Sequence, residues 1–89
     1  MEERNPIRNQ DYRLEKMDEE LLLFNPKTTN ILYLNETASL IWQLCDGQRT
    51  LKEMISLLKD TFPEAGDHIQ QDVVETIDHF KKHGAILLV

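Results

Sequence analysis

Glu75, His79 and His83 stand four residues apart, so on a helix they would form one column able to hold a metal, with His68 or Cys45 available from elsewhere in the chain. A metal site needs three or four convergent ligands, and a column on the polar face of an acidic helix is ordinarily solvated, so neither metal nor other cofactor is expected. Cys45, the single cysteine, falls on an apolar stripe with Ala38, Ile41 and Trp42. With no base and no electropositive surround legible, it reads as a small buried hydrophobe rather than a nucleophile. Gly47, Gly66 and Gly84 are isolated, each where a helix starts or stops, which leaves no glycine-rich loop to cradle a phosphate. No catalytic set emerges, and the chain is not expected to be an enzyme.

The elements that would position these groups follow from two periodicities. A weak alternation from Tyr12 to Met17, the turn Asp18-Glu19, the run Leu21–Phe24, the turn-rich Asn25–Asn30 and the run Ile31–Leu34 predict three strands in an antiparallel meander. After Leu34 the period lengthens to 3.6. Asn35 is a good N-cap, and Ala38, Ile41, Trp42 and Cys45 mark a first helix that stops near Gly47. Thr50-Leu51-Lys52-Glu53 is a capping box opening a second helix with Leu51, Met54, Ile55 and Leu58 on one face. Asp67 is expected to cap a third, which carries Ile69, Val73, Ile77 and Phe80 on one face and ends at Gly84; Ala85–Val89 is either a short strand or a core plug. The order is β-β-β-α-α-α, an α+β domain.

With 89 residues the chain holds one small domain, taken here as residues 11–89 behind a loosely held N-terminal arm of residues 1–10. Leu, Ile, Val and Phe make up 26 of the 89 residues, enough for a packed core but a thin one, which disfavours a deep catalytic cavity. Sixteen acidic against ten basic side chains give a net charge of −6, which works against nucleic acid and anionic membranes. The start of the chain has no apolar stretch resembling a secretion signal, and the longest apolar run is far below the roughly 20 residues of a membrane span, so a cytoplasmic location is expected.

The strands raise a further question. In Leu21–Phe24 and Ile31–Leu34 both alternating faces are apolar, whereas a sheet covered on one side should alternate with polar residues. Three helices can sheathe one side, which leaves apolar surface beside an open strand, the geometry for adding an extended peptide as a further strand. The alternatives are a rolled sheet that buries both faces itself and a homodimer. Two helices joined by a short turn also suggest a winged-helix DNA-binding regulator. The would-be reading helix argues against it: Asp67, Asp72, Glu75 and Asp78 stand between residues 67 and 80 with no Lys or Arg, and would repel phosphates.

Leu34-Asn35-Glu36-Thr37-Ala38-Ser39-Leu40-Ile41-Trp42, Cys45-Asp46-Gly47-Gln48-Arg49-Thr50, Gln71-Asp72-Val73-Val74 and His83-Gly84-Ala85-Ile86-Leu87 resemble the pattern of the PqqD-like superfamily over about residues 12–88. Its members include the pyrroloquinoline quinone biosynthesis protein D and leader-recognition domains of ribosomally made, modified peptides. The resemblance implies a winged-helix-like fold of three strands and three helices without catalytic activity. It also implies a partner, the leader of a precursor peptide, bound along the third strand beside the third helix and delivered to a modifying enzyme such as a radical S-adenosylmethionine enzyme or a leader peptidase. Carried onto this chain, the peptide-binding residues would be Asn30, Ile31, Leu32, Tyr33 and Leu34 on the strand and Asp72, Val73, Glu75, Thr76 and His79 on the helix. Asn35, Ala38, Trp42, Asp46 and Gly47 match the motif as cap, packing and helix-stop residues. The turn Asn25-Pro26-Lys27-Thr28-Thr29 differs from a Pro-Glu-Gly turn of the quinone-cofactor members, which leaves lasso-peptide and thioether pathways open. A monomer or weak homodimer is expected.

Overall fold

The computed structural model describes residues 4–89. In chain order the elements are β1 (Pro6–Arg8), β2 (Arg13–Met17), β3 (Glu20–Asn25), β4 (Asn30–Leu34), α1 (Glu36–Leu44), α2 (Leu51–Thr61), a short 3-10 turn (Pro63–Ala65), α3 (His68–Lys82) and β5 (Ile86–Leu88). The meander and the three helices are as the two periodicities predict. β2, β3 and β4 form an antiparallel sheet in that order, with Leu14, Leu23 and Leu32 in one cross-strand row and Glu15, Leu22 and Tyr33 in the next.

Alternation then divides the sheet. Tyr12, Leu14, Leu23, Leu32 and Leu34 face the helices and pack with Ile41, Trp42, Met54, Leu58, Ile69, Val73, Ile77 and Phe80 in one core. The opposite face carries Ile31 and Tyr33 exposed to solvent and Met17 exposed at its corner, with Phe24 half-buried and Leu22 buried at 6% among their neighbours on that face. The helices therefore cover one side only.

Local chemistry fixes the helix ends. The Asn35 side chain accepts from the Ala38 N–H at 2.7 Å, and Thr50 and Glu53 exchange both bonds of a capping box, at 3.0 and 3.1 Å. Those backbone and hydroxyl contacts at Thr50 hold the Glu53 carboxyl below its ordinary range, and the Gln48 N–H does the same for Asp46. α3 closes in a Schellman arrangement: Ala85 N–H bonds to the Phe80 carbonyl at 2.9 Å and Gly84 N–H to that of Lys81 at 3.1 Å, with Gly84 at φ +72°. Asp67 occupies the N-cap position of α3 but makes no capping bond there, because its backbone is helical rather than extended. That is a correction to the sequence reading.

A second correction concerns the N-terminal arm. Residues 6–8 are not loose: β1 pairs antiparallel with β5, Pro6 opposite Leu88 and Arg8 opposite Ile86, which also decides the tail as a strand. Asn5 and Val89 exchange both backbone bonds, Asn9 N–H reaches the Ala85 carbonyl at 3.0 Å, and the Arg8 guanidinium lies 5.8 Å from the Trp42 ring. Gly47 makes this docking possible. At φ +81° its N–H bonds to the Pro6 carbonyl at 2.9 Å, and a Cβ there would approach Ile7 Cδ1 to 3.1 Å. Residues 1–3 of the expected arm lie outside the described residues.

Candidate functional site

β4, like β2, is an edge strand of its sheet, hydrogen-bonded to β3 on one side only. Every second N–H and C=O along its other side is therefore unpaired within the sheet, a template about 16 Å long for another strand. Beside it runs α3. Asp72, Thr76, His79 and His83 are spaced three and four residues apart and line one flank of that helix, with Glu75 adjacent.

Two fixed points tie strand and helix together. At one end Asn35, directly after β4, lines a depression of about 270 Å³ with Thr37, Asp72, Glu75 and Thr76. At the other, the buried Tyr12 hydroxyl donates to the His83 carbonyl at 2.7 Å and accepts from the Asn30 side chain at 3.5 Å. β4 and α3 thus lie antiparallel, residue 30 toward residue 83 and residue 35 toward residues 72–76. Tyr12 and His83 have no place in the peptide-binding set read from the sequence. A tyrosine leading a weakly alternating strand was a signal, since a buried hydroxyl needs a partner.

The expected residues divide. Ile31 and Tyr33 are exposed on the outer sheet face, Asn30 is exposed at the start of β4, and Leu34 is half-buried against the core. Asp72, Glu75 and His79 are exposed and Thr76 half-buried on α3. The side chains of Leu32 and Val73, at 6% and 0% exposure, belong to the core between sheet and helices, so Leu32 has only its main chain at the strand edge and Val73 offers no side-chain surface to a guest. Two depressions meet at Asn35. The second, about 660 Å³, is lined by Lys16, Glu19, Glu20, Leu21, Tyr33, Leu34, Asn35 and Glu36.

The imidazoles of His79 and His83 meet edge to face with centroids 4.6 Å apart, while Glu75 accepts from the Gln71 amide at 3.0 Å. Among the described residues no group of three His, Cys, Asp or Glu side chains converges as a metal site would. Cys45 is fully buried with its thiol directed at the Ile41 carbonyl, and burial pushes its pKa up to about 12. At about pH 8 it should react with iodoacetamide on the order of a thousandfold more slowly in the folded protein than in urea. Rapid labelling of the native protein, followed by mass spectrometry, would refute its burial. No helix among the described residues is long and apolar enough to cross a membrane.

Fold and site together define a small α+β domain in which the β4 edge of the sheet lies beside a helix. The chain belongs to the family of the coenzyme PQQ synthesis protein D (PqqD), whose family model matches residues 20–86. It is 50% identical over 42 residues to a PqqA binding protein of Klebsiella pneumoniae strain 342, a stretch covering 47% of this chain and 45% of that protein. A PqqA binding protein of Rahnella aquatilis is 52% identical over 33 residues, 37% of this chain and 35% of the relative. The matched stretches span less than half the length of these curated relatives. No solved structure matches the chain significantly.

Proposed function

We propose that this domain is a non-catalytic adaptor that captures the leader of a ribosomally made precursor peptide as an added strand on β4, beside α3, and presents it to a modifying enzyme. The observation that carries this reading is the unpaired edge of β4 with a flank of α3 alongside. Main-chain bonds along the edge supply affinity, and alternate guest side chains turn either toward α3 or outward beside Ile31 and Tyr33. Relatives named PqqA binding proteins favour a PqqA-like precursor and the quinone-cofactor pathway over the lasso and thioether pathways. The client enzyme is then a radical S-adenosylmethionine enzyme or a leader peptidase, working in the cytoplasm. A DNA-reading role is disfavoured by the exposed carboxylates Asp72, Glu75 and Asp78 on α3.

Titrating the labelled protein with the PqqA peptide of Klebsiella pneumoniae should give saturable binding, with amide shifts concentrated at residues 30–34 and 72–79. Thr76→Arg places a long cation into the depression beside Asn35, where the half-buried threonine leaves room for a guest. It should weaken binding at least about tenfold, on the order of 1.4 kcal/mol, while thermal stability stays close to that of the parent. A wild-type titration without saturation would end the proposal. Full affinity in the Thr76→Arg protein would move the guest away from α3.

A further inference from the structure

The edge of β4 has unlike ends. Beside Leu34 and Asn35, Glu19, Glu20 and Glu36 line one depression, and Asp72 and Glu75 the other. None of these five carboxylates takes part in an ion pair among the described residues, and Lys16 is the single cation lining either depression. At the Asn30 end the excess of negative charge falls away. Asp11, next to the Tyr12 that bonds Asn30, is matched by Lys27 at 3.0 Å, Asp78 on α3 is matched by Lys82 at 3.3 Å, and this part of α3 carries the His79 and His83 imidazoles. The potential along the edge therefore runs from strongly negative at Leu34 to near neutral at Asn30.

Strand direction converts this gradient into a sequence requirement. β2, β3 and β4 alternate in direction, and antiparallel pairing is the more stable kind per residue. A strand added antiparallel to β4 lies with its N-terminal end beside Leu34 and its C-terminal end beside Asn30. We infer that the guest is a peptide with Lys or Arg on the N-terminal flank of an alternating apolar stretch, and neutral or acidic residues on the C-terminal flank. This rests on the strand-addition reading above and specifies the charge pattern of what that edge accepts. Complementary charge of this kind acts on register and encounter as much as on affinity, because it penalises the reversed and the slipped guest.

The test is a displayed library of short peptides with a fixed alternating apolar centre and randomised flanks, selected on the immobilised full chain. Recovered binders should carry Lys and Arg about two- to fivefold more often on the N-terminal than on the C-terminal flank, the factor one or two exposed ion pairs supply. Selection in high salt should flatten that bias, since the charges are exposed. The double variant Asp72→Lys, Glu75→Lys, altered only at exposed positions, should diminish or invert it while keeping the parent's circular dichroism spectrum. Binders recovered with symmetric flanks, or with cations on the C-terminal side, overturn the charge inference and leave strand addition standing. Failure to enrich any binder above the bare support overturns both. A bias that survives unchanged in the double variant shows that α3 does not contribute to it and overturns the gradient as drawn.

Discussion

Deletion of the residues up to Asn9 should lower the unfolding free energy of the domain by about 4 kcal/mol, the largest loss we expect from any change outside the main core. Pro6 is fully buried, and the deletion also removes the backbone bonds of Asn5 to Val89, of Arg8 to Cys45 and of Asn9 to Ala85. Side-chain bonds from Asn5 to the Gly47 carbonyl and from Asn9 to that of Gly84 disappear with them. Each such bond contributes only about 1 kcal/mol net, but the acceptors lie at the ends of α1 and α3, and one of them, the Ala85 carbonyl, also accepts from the Trp42 Nε1–H. Because a domain of this kind holds about 5–15 kcal/mol, a loss of that size brings the urea midpoint down sharply. Trp42 fluorescence in a urea titration reports it directly. An unchanged midpoint would mean that β1 adds nothing to the fold.

Leu32→Asp should unfold the protein, whereas Tyr33→Asp, one residue along the same strand, should leave it folded. Leu32 packs among Leu23, Tyr12 and the helices at 6% exposure, while Tyr33 is 69% exposed on the outer face. A carboxylate at position 32 loses the apolar burial of leucine and forces a charge into the core, together on the order of 4 kcal/mol or more. At position 33 the carboxylate stays in water, and the expected change is within about 1 kcal/mol. Circular dichroism and a thermal melt separate the two. A folded Leu32→Asp protein with normal stability would place that side chain at the surface and require a different sheet orientation.

The contrast between neighbours explains what the amino-acid pattern could and could not reveal. The meander and the helices were legible because their turns and caps carry local chemistry: Asp18-Glu19, Asn35, and Thr50 with Glu53. Which face of β4 turns inward was not, because Ile31, Leu32, Tyr33 and Leu34 are all apolar and alternation has nothing to read. Val73 is a different case. Its helical spacing with Ile69, Ile77 and Phe80 already places it on the buried stripe, and the family pattern drew it toward the groove against that spacing. The β1–β5 pair was invisible for a third reason. Pro6-Ile7-Arg8 is too short to show a period, and its partner lies some eighty residues away, where no local signal can announce it. The charge difference between the two ends of β4 needed the fold as well, since Glu19, Glu36 and Asp72 converge only once sheet and helices are assembled.

The pairing of Asn5 with Val89 has a consequence for tethering. Those two residues exchange N–H to C=O bonds in both directions, at 2.6 and 2.8 Å, so Asn5 and Val89 share one spot on the domain. That spot adjoins the Gly47 end of α1, about 13 Å of helix from the Asn35 depression. A partner joined by a flexible linker directly before Asn5 or directly after Val89 starts from the same anchor. Its local concentration at the β4 edge is then set by linker length alone, and not by which end carries it.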